Sequence, residues 1–509
     1  MAAVGGGAVA LPFAVGMGDR KGHGTARHRT RAWSVRGENR LAGTSEWQIT
    51  KLGPADAIAG YADKVSVLPG ESFRLFVSTT GRSFQASAFR MGWYGGSLGR
   101  LVWRSGPVNC GTQAKPVLIP DVNMMHAPWE PSLTVSTHGW PEGCYLVKLT
   151  SDEGYEQYAT ITVRSASTRG RTAFVNAVTT WAAYNKWGGG YNIYEGPGPQ
   201  SRRYGRRSRK VSFDRPYDKN GSYLLWYELP QLALAERMGL PLAYVTDLDL
   251  DGDRKLFDGA HALVFAGHDE YWSSGMRDNT LAIRDAGVNI AIFGANTAYR
   301  HIRLEPSDLG DRRVMVCYKQ AHEDPMLAQN PDEATQQWRL APNPRPESVI
   351  TGVIYESFPV NAPFVVVEPD AWVFEGTGAV KGQGYKGLVG VEYDRLIAGM
   401  PAPRPLQVLS DSPLVCRGVP TYSNSSYYTT PSGSGVFSTG SLIWSSTLPF
   451  GANGAKVVGA ETARFATVVT RNVLREFSRG PAGHAHPARD NYDAYARPPL
   501  QHLPYSYRF

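Results

Sequence analysis

HALVFAGHDEYWSSGMRDNTLAIRDAGVNIAIFGAN, residues 261–296, decides the fold. It opens on an apolar run, HALVFAG (261–267), and closes on another, VNIAIFGAN (288–296). Between them MRDNTLAIRDAG (276–287) spaces its apolar residues as an amphipathic helix that stops at Gly287. Strand, helix and strand in this order, with each strand almost wholly apolar, predict a parallel sheet covered on both faces. Working outward, TAFVNAVTT (172–180) is a further strand candidate, and YLLWYELPQLALAERMG (223–239) a helix ending at Gly239 before the strand PLAYVTD. Downstream, residues 310–455 return to strand-and-turn composition, as an insertion or β extension, before ETARFATVVTRNVLREFSRG supplies a closing helix.

The first third reads differently. KVSVL, ESFRLFVST, FQASAFRMGWY, LTVSTH, CYLVKL and QYATITV are short strand patterns punctuated by PG, GG, PEG and DEG, with no helix between them. That pattern predicts an antiparallel β-sandwich. The expected divisions are a leader over 1–40, a sandwich over 41–166, an α/β catalytic-type domain over 167–480 and a poorly ordered tail over 481–509. Residues 1–18 carry no charge, and GGGAVALPFAVG looks like the core of a secretory signal without its basic start. An exported protein is the expectation, with a cytoplasmic one as the alternative.

The 509 residues are 42% hydrophobic and 19% charged, enough to bury more than one core. No window approaches a membrane span of about twenty apolar residues. The net charge of +8 suggests nucleic acid until it is located. Arg202, Arg203, Arg206, Arg207, Arg209 and Lys210 supply most of it from one stretch, SRRYGRRSRK (201–210). A solvated loop explains this better than a nucleic-acid face, although it could steer an anionic ligand. Four cysteines at 110, 144, 317 and 416 are too scattered for a thiolate zinc site. They allow three disulfide pairings, of which 110–144 with 317–416 is the most economical.

In an open α/β sheet the site forms beyond the carboxyl ends of the strands. AGHDEYWS (266–273) is the densest candidate there, setting His268, Asp269, Glu270 and Tyr271 side by side. His268 and Glu270, two apart in extended backbone, can face one cavity. Capping of the following helix by Asp269, Ser273 or Ser274 would account for one residue but not for the cluster. Asn296, after the next strand, is a candidate amide donor to a reacting oxygen. TTWAAYNKWGGGYNIY (179–194) suits a substrate loop or an aromatic lid equally well.

Together TWAAYNKWGG, FDRPY, AGHDEYWS, FGAN…YR and GLVGVEYDRL, preceded by FRMGWYGG, resemble the large subunit of N,N-dimethylformamidase over about residues 55–475. The resemblance implies an Ig-like β-sandwich followed by an α/β domain like that of class I glutamine amidotransferases, with a β-rich extension. It also implies hydrolysis of an amide C–N bond at a mononuclear Fe³⁺ held by two tyrosines and a glutamate. Carried onto this sequence, the metal ligands fall on Tyr184, Tyr217 and Glu270, and catalytic roles on His268, Asn296 and Glu392. Hard phenolate and carboxylate oxygens suit such an ion. The implied partner is an amide-containing small molecule; a homo-oligomer is permitted, and a small subunit is neither required nor excluded. Two readings compete: an exported carbohydrate- or cell-wall-acting hydrolase or lyase with Glu270 and Glu392 as its carboxylate pair, and a non-catalytic surface binding protein.

Overall fold

The computed structural model describes residues 33–219, 221, 223–450 and 457–500. The leader expected over 1–40 lies almost wholly outside the described residues. A central sheet of seven strands organises the chain from Ser34 onward: β1 (Thr172–Asn176), β2 (Leu242–Thr246), β3 (Ala262–Gly267), β4 (Asn289–Gly294), β5 (Leu406–Cys416), β6 (Val419–Thr429) and β7 (Gly435–Ser438). Their spatial order is β2-β1-β3-β4-β7-β6-β5. The first five run parallel, and β6 and β5 add to the edge as an antiparallel hairpin. Strands β1 to β4 are buried at every position, which is why they read as continuous apolar runs.

Four helices matter for the site: α1 (Val178–Tyr184), α2 (Leu229–Arg237), α3 (Ser274–Asp285) and α4 (Ala460–Phe477). Ser273 caps α3, its hydroxyl accepting from the Met276 amide, so capping takes Ser273 and leaves the acids of 268–270 for other work. The run 172–180 divides: the strand stops at Asn176, and Val178, Thr179 and Thr180 begin α1 instead. The β-rich stretch contributes β5 to β7 to the central sheet and adds a long hairpin, Ile354–Val365 with Gly384–Arg395.

Ahead of the central sheet, two antiparallel layers face each other. One holds Ile58–Ala62, Ser72–Thr79 and Leu133–Ser136; the other is built around Ser83–Met91, Gly143–Ser151 and Glu156–Val163. Alternate residues Phe73, Leu75 and Val77 point into a core with Ala86, Val147, Leu149 and Ile161, as a period of two requires. Phe76, on the opposite face, stacks on Tyr61 instead, with ring centroids 4.9 Å apart.

Three expectations are corrected. No disulfide forms, and all four cysteines are free. Cys144 points into the main core, where its thiol meets Asn176 Oδ1 at 3.0 Å, while Cys110 turns to the Val77 carbonyl at 3.1 Å. Cys416 faces the Pro359 carbonyl at 3.6 Å, and Cys317 is buried. The 201–210 stretch is only partly a solvated loop. Arg207 is buried and pairs with Glu323 at 2.9 Å, Arg209 shares that carboxylate, and Lys210 pairs with Glu305 at 2.5 Å. Finally, residues 481–500 pack on the body. The Tyr492 hydroxyl reaches the Ile397 carbonyl at 3.1 Å, and Arg497 forms a bidentate pair with Asp411.

Candidate active site

The carboxyl ends of β1, β3 and β4 converge with the Gly384–Arg395 strand. β3 ends at Gly267, whose φ of +70° turns the chain into His268-Asp269-Glu270. The Glu270 amide donates to Thr180 Oγ1 of α1 at 3.0 Å, which ties this turn to the helix beside it. Tyr271–Ser273 then pairs in parallel with the strand that begins at Arg300.

Glu270 is the centre of a hydroxyl cluster. Tyr184, at the end of α1, donates to its Oε2 at 2.6 Å, and Tyr194 donates to both carboxylate oxygens at 2.8 Å. The two phenolic oxygens lie 2.7 Å apart, and the Tyr271 hydroxyl donates to Tyr194 at 2.7 Å. Three glycines, Gly188, Gly189 and Gly190, all at positive φ, reverse the chain after α1 and lay the Tyr194 ring on Tyr184 with centroids 4.8 Å apart. Lys319 Nζ sits 3.1 Å above the Tyr194 ring, and Arg300 Nε is 3.6 Å from Glu270.

His268 lies between two carboxylates, its Nε2 3.4 Å from Glu270 and 3.4 Å from Glu392. Both are ion-pair contacts, long for hydrogen bonds. Burial alone would lower the imidazole pKa, but Glu392 and Glu270 push it up to about 10, the direction that favours the protonated ring. Burial would raise Glu270, yet His268, with Lys319 and Arg300 beyond, draws it down to about 2. Burial and the Glu270 charge hold the Tyr184 phenol well above its usual range.

Asn296 adopts a left-handed φ of +60°, a region asparagine tolerates. Its Nδ2 donates to Glu392 Oε2 at 2.7 Å and its backbone amide to Asp394 at 2.9 Å. The amide group expected to meet a reacting oxygen is thus engaged in orienting Glu392, and the buried Oδ1 has no hydrogen-bond partner among the described residues.

Tyr217 stands elsewhere. Its ring packs on Trp181 at 6.5 Å and lines a small cavity with Phe213, Leu224 and Arg313, against the sandwich. The FDRPY segment braces the site from behind: Arg215 donates to the Asn185 and Trp187 carbonyls at 2.9 and 3.1 Å, and Asn185 donates to the Pro216 carbonyl at 2.8 Å. The second tyrosine beside Glu270 is therefore Tyr194, and Arg215 and Pro216, not Tyr217, hold the start of the loop that carries it.

Among the described residues no group of three or more His, Cys, Asp or Glu is arranged to hold a metal ion. The Glu270 cluster is of another kind, phenols around one carboxylate. A family profile described as N,N-dimethylformamidase beta subunit-like, C-terminal, matches residues 85–457. The chain belongs to this family. The matched span contains every residue of the cluster. No curated protein matches the chain. Among solved structures, a Paenibacillus sp. cycloisomaltooligosaccharide glucanotransferase complexed with cycloisomaltoheptaose is similar over 25% of this chain and 17% of that one, at 14% identity and a TM-score of 0.15. A likeness so slight carries no argument.

Besides Tyr194 and Lys319, sequence reasoning missed Tyr223, Tyr227 and Lys219. Tyr223 precedes and Tyr227 lies within a single π-helical turn, Leu224–Glu228, a local distortion frequent at functional sites. Tyr223 lies 5.5 Å from the Tyr184 ring and Tyr227 6.4 Å from His268. Lys219 Nζ lies 5.8 Å from the Tyr184 centroid. The legible signal was the spacing of two tyrosines four apart on a helix, which places them on one face.

Proposed function

We propose that the chain is a metal-dependent amide hydrolase whose ion is held by Tyr184, Tyr194 and Glu270. The convergence of two phenol oxygens on one buried carboxylate, all within 2.8 Å of one another, carries this reading. The donor set is all oxygen and would be trianionic once the phenols lose their protons. This favours a hard, highly charged cation, Fe³⁺ above thiophilic metals. Such an ion would polarise a substrate carbonyl and lower the pKa of water.

The chain's own residues then divide the proton work. Glu392, oriented by Asn296 Nδ2, stands ready to take a proton from the attacking water. His268, cationic between its two carboxylates, can donate to the departing amine nitrogen. Arg300 keeps positive charge beside Glu270, and the Lys319 amine, whose pKa burial and Arg300 draw well below the usual lysine range, lies over the Tyr194 ring. Tyr223 and Tyr227 wall the approach with aromatic surface. The same reading extends to the fold, with the sandwich as an Ig-like module and the central sheet as a relative of the class I glutamine amidotransferases. Export remains part of the proposal, with the cytoplasm as its alternative.

Metal analysis and the visible spectrum test it. Protein purified without a histidine tag should contain one iron per chain and show a phenolate-to-iron charge-transfer band. Tyr184→Phe and Tyr194→Phe should lose or shift the band, and Tyr217→Phe should keep it. Colourless, iron-free protein that still hydrolyses amides would sink the metal assignment. A band that survives Tyr194→Phe but disappears in Tyr217→Phe would restore the other tyrosine.

A further inference from the structure

The cationic stretch 201–210 has no role in the chemistry above, and half of its cations stay at the surface. Arg207, Arg209 and Lys210 are absorbed by Glu323 and Glu305. Arg202, Arg203 and Arg206 remain exposed, on a loop that leaves the site directly after Tyr194. That loop folds back on itself, the Gly196 amide donating to the Arg203 carbonyl at 2.9 Å and Arg206 to the Pro197 carbonyl at 3.0 Å.

The positive charge continues from this loop to the site. Glu195 binds Arg203 at 3.3 Å and also Lys186, which lies two residues beyond Tyr184. Next along the rim is Lys219, held over the rings of Tyr184 at 5.8 Å and Tyr223 at 5.1 Å, with its ammonium 3.4 Å from the Tyr223 hydroxyl. Among the described residues no ion pair involves Lys219. Partial burial lowers its pKa, and the carboxylates of Asp218 and Glu195 oppose that shift while Lys186 adds to it. Lys186 and Arg203 share Glu195, and Lys219 has Asp218 beside it in the chain, so three cations face two carboxylates and leave one positive charge in excess on a rim one aromatic ring away from the Tyr184 oxygen. Like charges held together cost stability unless something anionic is received there.

We propose that this rim is the anion subsite of the active site and that the substrate is an amide bearing a carboxylate. Its negative end rests on Lys219, its chain lies against Tyr223 and Tyr227, and its carbonyl faces Glu270 and Glu392. Arg202, Arg203 and Arg206 raise the local concentration of such anions. This substrate class rests on the amide-hydrolase reading.

N-acetylglycine and N-acetylglycinamide have nearly one shape and differ by a charge, so their relative affinity isolates the rim. Calorimetric titration of the purified full chain should show the carboxylate binding about ten-fold tighter than the neutral amide, a difference of about 1.4 kcal/mol. The preference should shrink with salt and fall to about two-fold or less in Lys219→Met, which keeps an unbranched side chain against the Tyr184 and Tyr223 rings and removes only the charge. Equal affinity for the two probes, including no detectable binding of either, overturns the proposal, as does a preference unchanged in Lys219→Met. Metal content separates the two readings. Coloured, active enzyme indifferent to the charge loses only the anion subsite. Colourless protein with a Lys219-dependent preference loses only the metal.

Discussion

At the residue scale the site turns on which oxygen meets which. His268 and Glu270 are two apart in sequence and touch in space, as the alternation of extended backbone allows. Glu392 arrives from 122 positions further on and is fixed by one amide, Asn296 Nδ2, at 2.7 Å. That contact defines a prediction. Glu392→Gln keeps an oxygen for Asn296 but removes the proton acceptor, so kcat should fall by about 10²–10⁴-fold. Iron content and the charge-transfer band should be unchanged. A variant with full iron and a turnover near that of the parent would show that the base is another group. The positions of the tyrosines around Glu270 teach the same lesson. Tyr184 was legible from AAYNKWGG, whereas Tyr194 needed the turn at Gly188–Gly190 to be seen in space. FDRPY suggested Tyr217, but the motif serves as a brace through Arg215 and Pro216.

At the element scale the ends of β3 and β4 set the distance between His268 and Asn296. Gly267 pairs with Gly294 in register. A Cβ on Gly294 would stand 1.8 Å from the Gly267 carbonyl oxygen, backbone that cannot step aside cheaply. Gly294→Ala should therefore destabilise the fold by about 1–3 kcal/mol or more, read as a lower denaturation midpoint, and should spread the site that follows both strands. A midpoint equal to that of the parent would mean that the two strands part without cost. The glycines were visible in FAGHDE and FGAN, but only the pairing of the two strands explains why both are needed.

At the scale of the whole molecule, a buried ion pair joins the sandwich to the α/β core. Arg90, from FRMGWYGG, and Glu236, from α2, meet at 2.7 Å with neither side chain exposed. Tyr94 and Tyr244 complete the network, and the Trp93 amide donates to Glu236 at 3.0 Å. A Cβ on Gly92 would fall 2.0 Å from Glu236 Oε2, which accounts for that glycine of the motif. Arg90→Met strands a carboxylate in the interior and should cost about 3–5 kcal/mol in chemical denaturation. Arg104→Met, which breaks an exposed pair with Glu46, should cost less than about 1 kcal/mol. Similar losses in the two variants would mean that Arg90 does not clamp the domains.

The sequence by itself determined the classes of element and their order. A period of two over 58–163 and buried apolar runs from 172 onward are written locally, because burial on one face or on two imposes those patterns directly. It also placed the acidic cluster at the end of β3, since a strand followed by a capped helix leaves its carboxyl end open. Tertiary structure alone decided which tyrosine joins Glu270, which cations the fold consumes, and where each cysteine points. Those choices depend on loop reversals and on strand register, which bring together groups ten to more than a hundred residues apart and leave no period in the chain.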